Sequence, residues 1–300
     1  MPSETDLGGA GASALPPGFR PEQAIPHAQA IIHQALTEDI GTGDVTTNAC
    51  VPEHTQAKGY FLAREPLVLA GTRLLPLIYN ERGGARLELL HHDGDHLREG
   101  DRIANVSGAA RTLLECERVA LNFLQRLSGV ATLAGRYAAM VEGTNCRVLD
   151  TRKTTPGLRA LEKAAAAAGG VTNHRMGLYD AVLIKNNHIA AAGGVRQAIE
   201  NTRKSGLPIE IEVRTLEELN EALACGAGHL LLDNLSPQQA EEWVRLVNGR
   251  AKIELSGGIN LETVRDYAET GADFVSVGAI THSARAMDIS FRLTLEQPDR

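Results

Sequence analysis

Beyond residue 145, short apolar runs alternate with longer segments that have helical periodicity. Each run ends in polar or glycine residues, and helical segments separate the runs. The six runs are Cys146–Asp150, Ala181–Lys185, Ile209–Val213, His229–Asp233, Lys252–Leu255 and Phe274–Val277. Strands that alternate with helices at this spacing form parallel βα units with right-handed crossovers. The second half of the chain is therefore predicted to be an α/β fold.

Six such units can close into a barrel or spread into an open, doubly wound sheet. The third and fifth runs, Ile209–Glu212 and Lys252–Leu255, alternate charged and apolar residues. A sheet covered by helices on both faces seldom tolerates such charges, whereas the lumen of a barrel lets them pair or reach a ligand. The alternation therefore favours a parallel α/β barrel, TIM-like but with about six strands, over an open sheet.

The first 140 residues have a different pattern. Residues 1–20 are rich in Gly, Ala, Ser and Pro and show no periodicity, which predicts a disordered tail. Apolar spacing and turn residues then predict helices and strands in mixed order. The predicted elements are a helix over Ile25–Leu36, a loop over Glu38–Thr47, a strand-rich region over 57–106, and helices over Arg111–Leu127 and Ala131–Val141.

Composition excludes several classes of protein. The formal net charge of −7 over 300 residues argues against a general nucleic-acid binder. No apolar run approaches the roughly 20 residues that span a bilayer, and the N-terminus lacks the pattern of a secretory signal. The four cysteines are far apart, which favours neither a zinc site nor a disulfide framework. We expect a cytoplasmic protein.

Charged residues cluster at the carboxyl ends of the predicted barrel strands, where active sites of parallel α/β folds lie. Any one of them could be a solvated loop charge or half of a structural ion pair, but six strand ends in succession indicate a shared site. Two lysines and an arginine there favour a small polyanionic substrate and a sugar phosphate. The strand-end residues are Arg152, Lys153, Lys185, Glu210, Glu212 and Asp233.

Glycines follow the last two predicted strands. Ser256-Gly257-Gly258 ends the fifth strand before a helix, and Gly278 ends the sixth, with His282 shortly after it. Glycines let backbone amides approach a phosphate, and barrels often bind phosphate at their last two strands. Ser-Gly-Gly by itself can also be a simple helix cap. The pair of glycine sites predicts a phosphate nest.

Several longer motifs give the chain a resemblance to the quinolinate phosphoribosyltransferase family, also called nicotinate-nucleotide pyrophosphorylase (carboxylating). The similarity runs from about residue 25 to residue 290. The specific motifs are Asp-Thr-Arg-Lys-Thr-Thr-Pro-Gly-Leu-Arg (150–159), Gly-Gly-x-x-Asn-His-Arg-x-Gly-Leu (169–178), Leu-Ile-Lys-Asn-Asn-His-Ile (183–189), Glu-Asp-Ile-Gly-x-Gly-Asp-x-Thr-Thr (38–47) and Glu-Arg-x-x-Leu-Asn-x-x-Gln-Arg-Leu-Ser-Gly (117–129). The short motifs at 231–234 and 254–259 also match but are less specific.

The resemblance implies two domains and a shared active site. An N-terminal open-faced α/β sandwich is expected over residues 21–140 and the catalytic barrel over 141–284, with residues 285–300 packing back on the sandwich. It also implies a homodimer, or a higher oligomer built from it, in which one subunit's N-terminal domain covers the other's barrel mouth. The expected reaction transfers phosphoribose from phosphoribosyl pyrophosphate to quinolinate, with decarboxylation, in NAD biosynthesis.

The resemblance also assigns expected roles to individual residues. The expected quinolinate ligands are Arg152, His174, Arg175 and Lys185, with Arg118 from the partner subunit. The expected phosphoribosyl pyrophosphate ligands are Lys153, Lys185, Glu212, Asp233, Ser256, Gly257, Gly258, Gly278 and His282. Lys153, Glu212 and Asp233 are the expected catalytic residues, with Glu210 as a second choice for the carboxylate. Mg²⁺ is expected mainly on the substrate phosphates, with Glu212 and Asp233 as possible direct ligands.

Three other functions remain compatible with the residues alone. A barrel lyase or aldolase would use Lys153 or Lys185 as a Schiff-base nucleophile. A non-catalytic barrel would bind a metabolite without releasing pyrophosphate. A related phosphoribosyltransferase would act on nicotinate or another pyridine acid, although the number of cations favours a dicarboxylate.

Overall fold

The computed structural model describes residues 25–295, so the predicted tail at 1–20 lies outside the described residues. The helices are α1 (Ile25–Ile40), α2 (Val45–Cys50), α3 (Leu74–Asn80), α4 (Ala110–Met140), α5 (Arg159–Ala168), α6 (Asn186–Ala192), α7 (Val195–Arg203), α8 (Leu216–Ala224), α9 (Pro237–Val247), α10 (Val264–Ala268) and α11 (Ala279–His282). The strands are β1 (Gln56–Ala63), β2 (Leu67–Val68), β3 (Arg86–Leu89), β4 (His96–Leu97), β5 (Arg102–Ala109), β6 (Arg147–Leu149), β7 (Val182–Ile184), β8 (Ile209–Val213), β9 (His229–Asp233), β10 (Lys252–Ser256), β11 (Phe274–Ser276) and β12 (Ile289–Leu295).

The N-terminal sheet is antiparallel and takes one strand from the far end of the chain. Its order is β12-β1-β5-β3, and β12 pairs with β1 from Ala57↔Leu295 to Ala63↔Ile289. Along β1 every second residue is buried, as expected when one face packs and the other meets solvent. A Cβ on Gly59 would lie 2.3 Å from the ring of Phe291, so the glycine makes room for the aromatic ring from β12.

The second sheet is parallel and has six strands in the order β6-β11-β10-β9-β8-β7. Each of the six predicted apolar runs coincides with one of these strands to within one residue at either end, and helices alternate with the strands. Among the described residues the strand ladder does not continue from β7 to β6. Instead, Thr172 in the connection forms a parallel bridge to Leu149 of β6. The predicted α/β barrel with a separate N-terminal sheet is confirmed.

The helix α4 corrects the prediction of two helices after residue 110. It runs without a break for 31 residues, through residues 128–130 that separated the two predicted helices. Gly129 is needed for packing: a Cβ there would lie 1.9 Å from the carbonyl oxygen of Arg285. The glycine therefore marks a close approach of backbone to helix and not a helix end.

The predicted loop over Glu38–Thr47 is shorter than expected. Helix α1 continues to Ile40, and α2 begins at Val45. The side chain of Asp44 accepts a hydrogen bond from the backbone N–H of Thr47, 2.9 Å away, and so caps α2. Gly and Asp residues indicated a loop, but here they occupy the turn and the cap between two helices.

Helix α4 also joins the two halves of the molecule. Its Arg126 donates to Glu162 Oε1 of α5 over 2.7 Å, and to the carbonyl oxygens of Thr281 and Ala284 over 2.6 Å each. The alanine- and glycine-rich segment of α5 permits this contact, since a Cβ on Gly169 would lie 2.2 Å from the carbonyl oxygen of Ala131. Small side chains thus serve close helix packing.

All four cysteines lie in the described part of the chain and are free thiols. Within residues 25–295, the helices are too short or too polar for any of them to cross a membrane.

Replacing Gly129 by alanine should destabilise the protein. In an uncongested helix interior this change stabilises by up to about 1 kcal/mol. Here the Cβ would overlap the Arg285 carbonyl, so we expect the free energy of unfolding to fall by about 1–3 kcal/mol in urea titrations. Gly228→Ala is the matched control, because a Cβ there meets nothing within 4 Å. A Gly129→Ala protein as stable as this control would contradict the packing described.

Candidate active site

A cavity of about 670 Å³ opens at the carboxyl ends of the six parallel strands. It brings together residues that are far apart in sequence, with cations from the first two strand ends and carboxylates and glycines from the others. The predicted residues that line it are Arg152, Lys153, His174, Arg175, Lys185, Glu212, Asp233, Ser256, Gly257, Gly258, Gly278 and His282.

Arg118 and Glu210 do not line this cavity within the described chain. Arg118 lies on α4 with an exposed side chain. Glu210 is buried below the cavity, where one carboxylate oxygen lies 3.0 Å from Nε2 of His174. Its place on β8 thus makes it a support for the cavity wall.

A buried ion pair holds the two cationic loops in place. Asp150 at the end of β6 and Lys163 on α5 are both fully buried and form a salt bridge. Asp150 also accepts hydrogen bonds from the backbone N–H of His174, over 2.8 Å, and from the side-chain amide of Asn173, over 2.6 Å. One carboxylate therefore fixes both the loop that follows β6 and the segment that leads into Arg175.

Arg159 links the same two loops closer to the surface. Its guanidinium donates to Oγ1 of Thr154 over 3.1 Å and to the carbonyl oxygen of Arg152 over 3.4 Å. It also donates to the carbonyl oxygen of Met176 over 3.3 Å. The backbones that carry the two cavity arginines are thus tied to one helix start.

Arg152 and Arg175, two of the arginines that line the cavity, each have a side-chain N–H without an acceptor in the described part of the chain. The Nε atoms of Arg152 and Arg175 are buried, and neither donates a hydrogen bond to any residue in the range 25–295. Burial, together with the charge of Arg152, lowers the pKa of Arg175. A buried donor without a partner is costly, so the pair favours an anion that can accept from both guanidiniums.

Two carboxylates and an arginine occupy the opposite wall. Nη2 of Arg214 lies 2.6 Å from Oε1 of Glu212 and 3.7 Å from Oδ2 of Asp233. Despite this contact, Oε1 of Glu212 accepts no hydrogen bond from the described residues. Carboxylate oxygens of this kind are ligands that Mg²⁺ prefers, so Glu212 and Asp233 fit a divalent cation. Sequence reasoning missed Arg214, although it directly follows a predicted strand end.

A second acidic cluster adjoins the cavity, which two of its members, His174 and Glu254, line. Nε2 of His174 lies 3.0 Å from Glu210 and 3.4 Å from Glu254, and His229 lies within 4 Å of both carboxylates. Burial and the charge of Glu254 raise the pKa of Glu210.

The spacing of this cluster would also suit a metal ion, because ligand atoms of His174, Glu210 and Glu254 all lie within 4.8 Å of one another. However, the backbone N–H of Arg175 faces Nδ1 of His174 at 2.7 Å. Burial lowers the pKa of His174, but the carboxylates of Glu254 and Glu210 have the larger effect and raise this pKa to about 10. Nε2 of His174 therefore carries a proton whether the ring is neutral or charged, and a protonated nitrogen cannot bind a metal ion. We interpret the cluster as a hydrogen-bonded support.

The glycines at the last strand ends are required by close contacts. Gly257 has a φ of +100°, and a Cβ there would lie 2.3 Å from the side-chain oxygen of Asn234. A Cβ on Gly278 would lie 2.8 Å from Cδ of Lys153 and 3.1 Å from Nε2 of His282. Lys153 and His282 therefore cross directly over Gly278, so a lysine, an imidazole and open backbone converge where a phosphate nest was predicted.

Models of the two domains of one family match nearly the whole described chain. The model described as quinolinate phosphoribosyl transferase, N-terminal domain, matches residues 44–128. The model for the C-terminal domain of the same family matches residues 130–292.

Individual relatives agree with the family models. The chain is 40% identical over 291 residues to "nicotinate-nucleotide pyrophosphorylase [carboxylating], chloroplastic" of Arabidopsis thaliana, with 89% of this chain and 83% of the relative covered. It is 39% identical over 290 residues to "quinolinate phosphoribosyltransferase [decarboxylating] 1b" of Nicotiana tabacum, with 89% and 82% covered. The crystal structure of NadC from Streptococcus pyogenes superposes with a TM-score of 0.86 at 39% identity, covering 94% of this chain and all of that one.

Replacing Lys163 by methionine should leave the Asp150 charge buried without its partner. We expect the free energy of unfolding, measured by urea titration, to fall by about 3–5 kcal/mol. The control is Lys252→Met, which removes a lysine 58% exposed that pairs with Asp273 over 2.6 Å. A solvent-screened pair of this kind contributes no more than about 1 kcal/mol. Equal losses in the two variants would contradict the role given to the buried pair.

Proposed function

The chain belongs to the quinolinate phosphoribosyltransferase family, and we propose that the cavity at the barrel mouth is the site of its reaction. The enzyme transfers phosphoribose from phosphoribosyl pyrophosphate to quinolinate and removes one carboxylate. The products are nicotinate mononucleotide, pyrophosphate and carbon dioxide, on the route to NAD. The lyase and non-catalytic alternatives are thereby set aside.

The observation that carries the proposal is a pair of arginines whose buried Nε donors have no partner among the described residues. Arg152 and Arg175 present buried Nε atoms beside Lys185 at one end of the cavity. Quinolinate is a planar dicarboxylate, and arginine forks bind carboxylates bidentately. Two guanidiniums held on tied loops orient such a ring with little loss of freedom on binding, which supports quinolinate over the monocarboxylate nicotinate.

The other end of the cavity suits the phosphorylated substrate. Gly257 and Gly258 leave backbone open at the end of β10, while Lys153 and His282 lie over Gly278. This arrangement supports binding of the 5-phosphate at the glycines, with Lys153 between the phosphates and the reacting carbon.

The carboxylates act where positive charge develops. Departure of pyrophosphate builds positive charge on the ribose ring, and Glu212 and Asp233 are placed on one wall to stabilise it. Magnesium, when bound with the substrate, would neutralise negative charge on the pyrophosphate leaving group. We propose Glu212 and Asp233 as the protein groups nearest that ion.

Decarboxylation needs no organic cofactor in this scheme. Once the ring nitrogen carries the ribose, the quaternised ring accepts the electron pair that the departing carbon dioxide leaves behind. A proton must then reach the ring carbon. Lys153, which lines the cavity beside Gly278, is the cation that can stabilise this charge or deliver the proton.

The exposed position of Arg118 supports a homodimer with shared sites. Arg118 lies on α4, outside the cavity of its own chain. We propose that the partner subunit's Arg118 completes the set of cations for quinolinate. We also propose the cytoplasm as its location, which agrees with four free thiols, although the Arabidopsis relative is named chloroplastic.

Incubation of the protein with quinolinate, phosphoribosyl pyrophosphate and magnesium should release carbon dioxide and form nicotinate mononucleotide in equal amounts. Lys153→Ala should lower kcat by about 100-fold or more, because charge at the reacting centre is lost. Nicotinate in place of quinolinate is the control and should give no product. Turnover with nicotinate and none with quinolinate would overturn the substrate assignment.

Mixed dimers test the shared site. Arg118→Ala and Lys153→Ala subunits should each be inactive alone, yet a heterodimer has one intact site. Random exchange makes about half of the dimers mixed, so about a quarter of wild-type activity should return. The control mixes Arg118→Ala with the double variant, which restores no site. Equal activity in both mixtures, with exchange verified by mass spectrometry, would refute the shared site.

A further inference from the structure

Arg214 is the cavity cation that the reaction scheme above leaves without a role. It follows Glu212 by two residues at the end of β8, and residues two apart in a strand share a face. Its guanidinium therefore lies on the same side as the Glu212 carboxylate and reaches Asp233 on the neighbouring strand β9. One cation bridges the two acids that were assigned to the ribose and magnesium.

The bridge is electrostatic and can be broken without disturbing the barrel. Nη2 of Arg214 lies 2.6 Å from Oε1 of Glu212, but within the described chain that oxygen accepts no hydrogen bond. The Arg214 side chain is 48% exposed, against 7% for Glu212 and 18% for Asp233. The arginine is thus the most solvent-exposed member of this group, with room to change its partner.

The backbone of Arg214 is held independently of its side chain. Its N–H donates to a carboxylate oxygen of Glu218 over 2.7 Å, in the first turn of α8. Thr215, the next residue, caps α8 through its hydroxyl. The guanidinium can therefore change partners while the strand end stays fixed.

Two negative charges side by side in a half-buried wall repel each other unless a cation lies between them. In the substrate-free protein Arg214 supplies that cation. A divalent metal bound to the same two oxygens would repel the guanidinium, and the metal arrives with a pyrophosphate group that needs cations of its own.

We propose that Arg214 occupies the place of the divalent cation in the substrate-free enzyme and transfers to the pyrophosphate group when the metal–phosphoribosyl pyrophosphate complex binds. This inference rests on the proposed function. It makes Arg214 a substrate-binding residue with two alternative partners, and it predicts effects of opposite sign on the binding of the metal alone and of the substrate.

The first test measures Mn²⁺ binding to the substrate-free protein by electron paramagnetic resonance of free Mn²⁺. Arg214→Ala frees both carboxylates, so the dissociation constant for Mn²⁺ should fall by about tenfold. Arg214→Lys keeps a cation and should stay near wild type. Adding Glu212→Gln to the Arg214→Ala protein should abolish the gain, which ties the new affinity to this pair of acids.

The second test measures phosphoribosyl pyrophosphate binding by calorimetry with saturating Mn²⁺ and no quinolinate. Loss of the guanidinium removes charge-assisted hydrogen bonds to the pyrophosphate, so Arg214→Ala should weaken binding by about tenfold. Arg245→Ala is the matched control, because that exposed arginine forms an ion pair with Glu241 along α9, away from the cavity lining, and both affinities should remain unchanged. Thermal unfolding of each variant checks that the fold is retained.

The outcomes separate the inference from the function on which it rests. Tighter Mn²⁺ binding with weaker substrate binding in Arg214→Ala supports the exchange of partners. Unchanged or weaker Mn²⁺ binding, or unchanged substrate binding, overturns it while the proposed function stands. A wild-type protein that binds no phosphoribosyl pyrophosphate overturns both.

Discussion

The cationic mouth of the barrel depends on the ion pair between Asp150 and Lys163, which are both fully buried. Removing two charges from water is expensive, and their attraction alone seldom compensates for it. Here the Asp150 carboxylate also accepts from Asn173 and from the backbone of His174, so its oxygens are satisfied. The arrangement fixes two loops in one geometry. Repulsion between the cavity arginines is thereby resisted by the fold.

Close packing at small residues determines the contact between the two halves of the molecule. Helix α4 packs against α5 and the C-terminal segment at points where glycine or alanine replaces a larger side chain. Arg126 then reaches across the contact to Glu162 and to two carbonyl oxygens near α11. Arg126 of α4 therefore stabilises the segment around α11, which lines the part of the cavity where we expect the phosphate.

Local patterns in the sequence were sufficient for the barrel strands and for the residues at their ends. Alternation at 209–212 indicated the barrel because side-chain period and burial are coupled within one strand. Properties that depend on distant packing could not be predicted. The continuity of α4 through Gly129 was missed, since the packing partner of that glycine lies 156 residues later at Arg285. Glu210 was predicted as a second-choice carboxylate, because its burial against His174 depends on neighbouring strands and cannot be predicted from β8 alone. Arg214 was overlooked because its contact with Asp233 crosses from β8 to β9.

The pairing of β12 with β1 has a consequence for how the chain can be made. The strand that completes one edge of the N-terminal sheet is encoded by residues 289–295, so it leaves the ribosome after the whole barrel. Until then β1 keeps an unpaired edge, and exposed strand edges invite association with other chains. Loss of residues 289–295 would therefore expose the edge of β1 in the N-terminal sheet while leaving the parallel strands of the barrel paired.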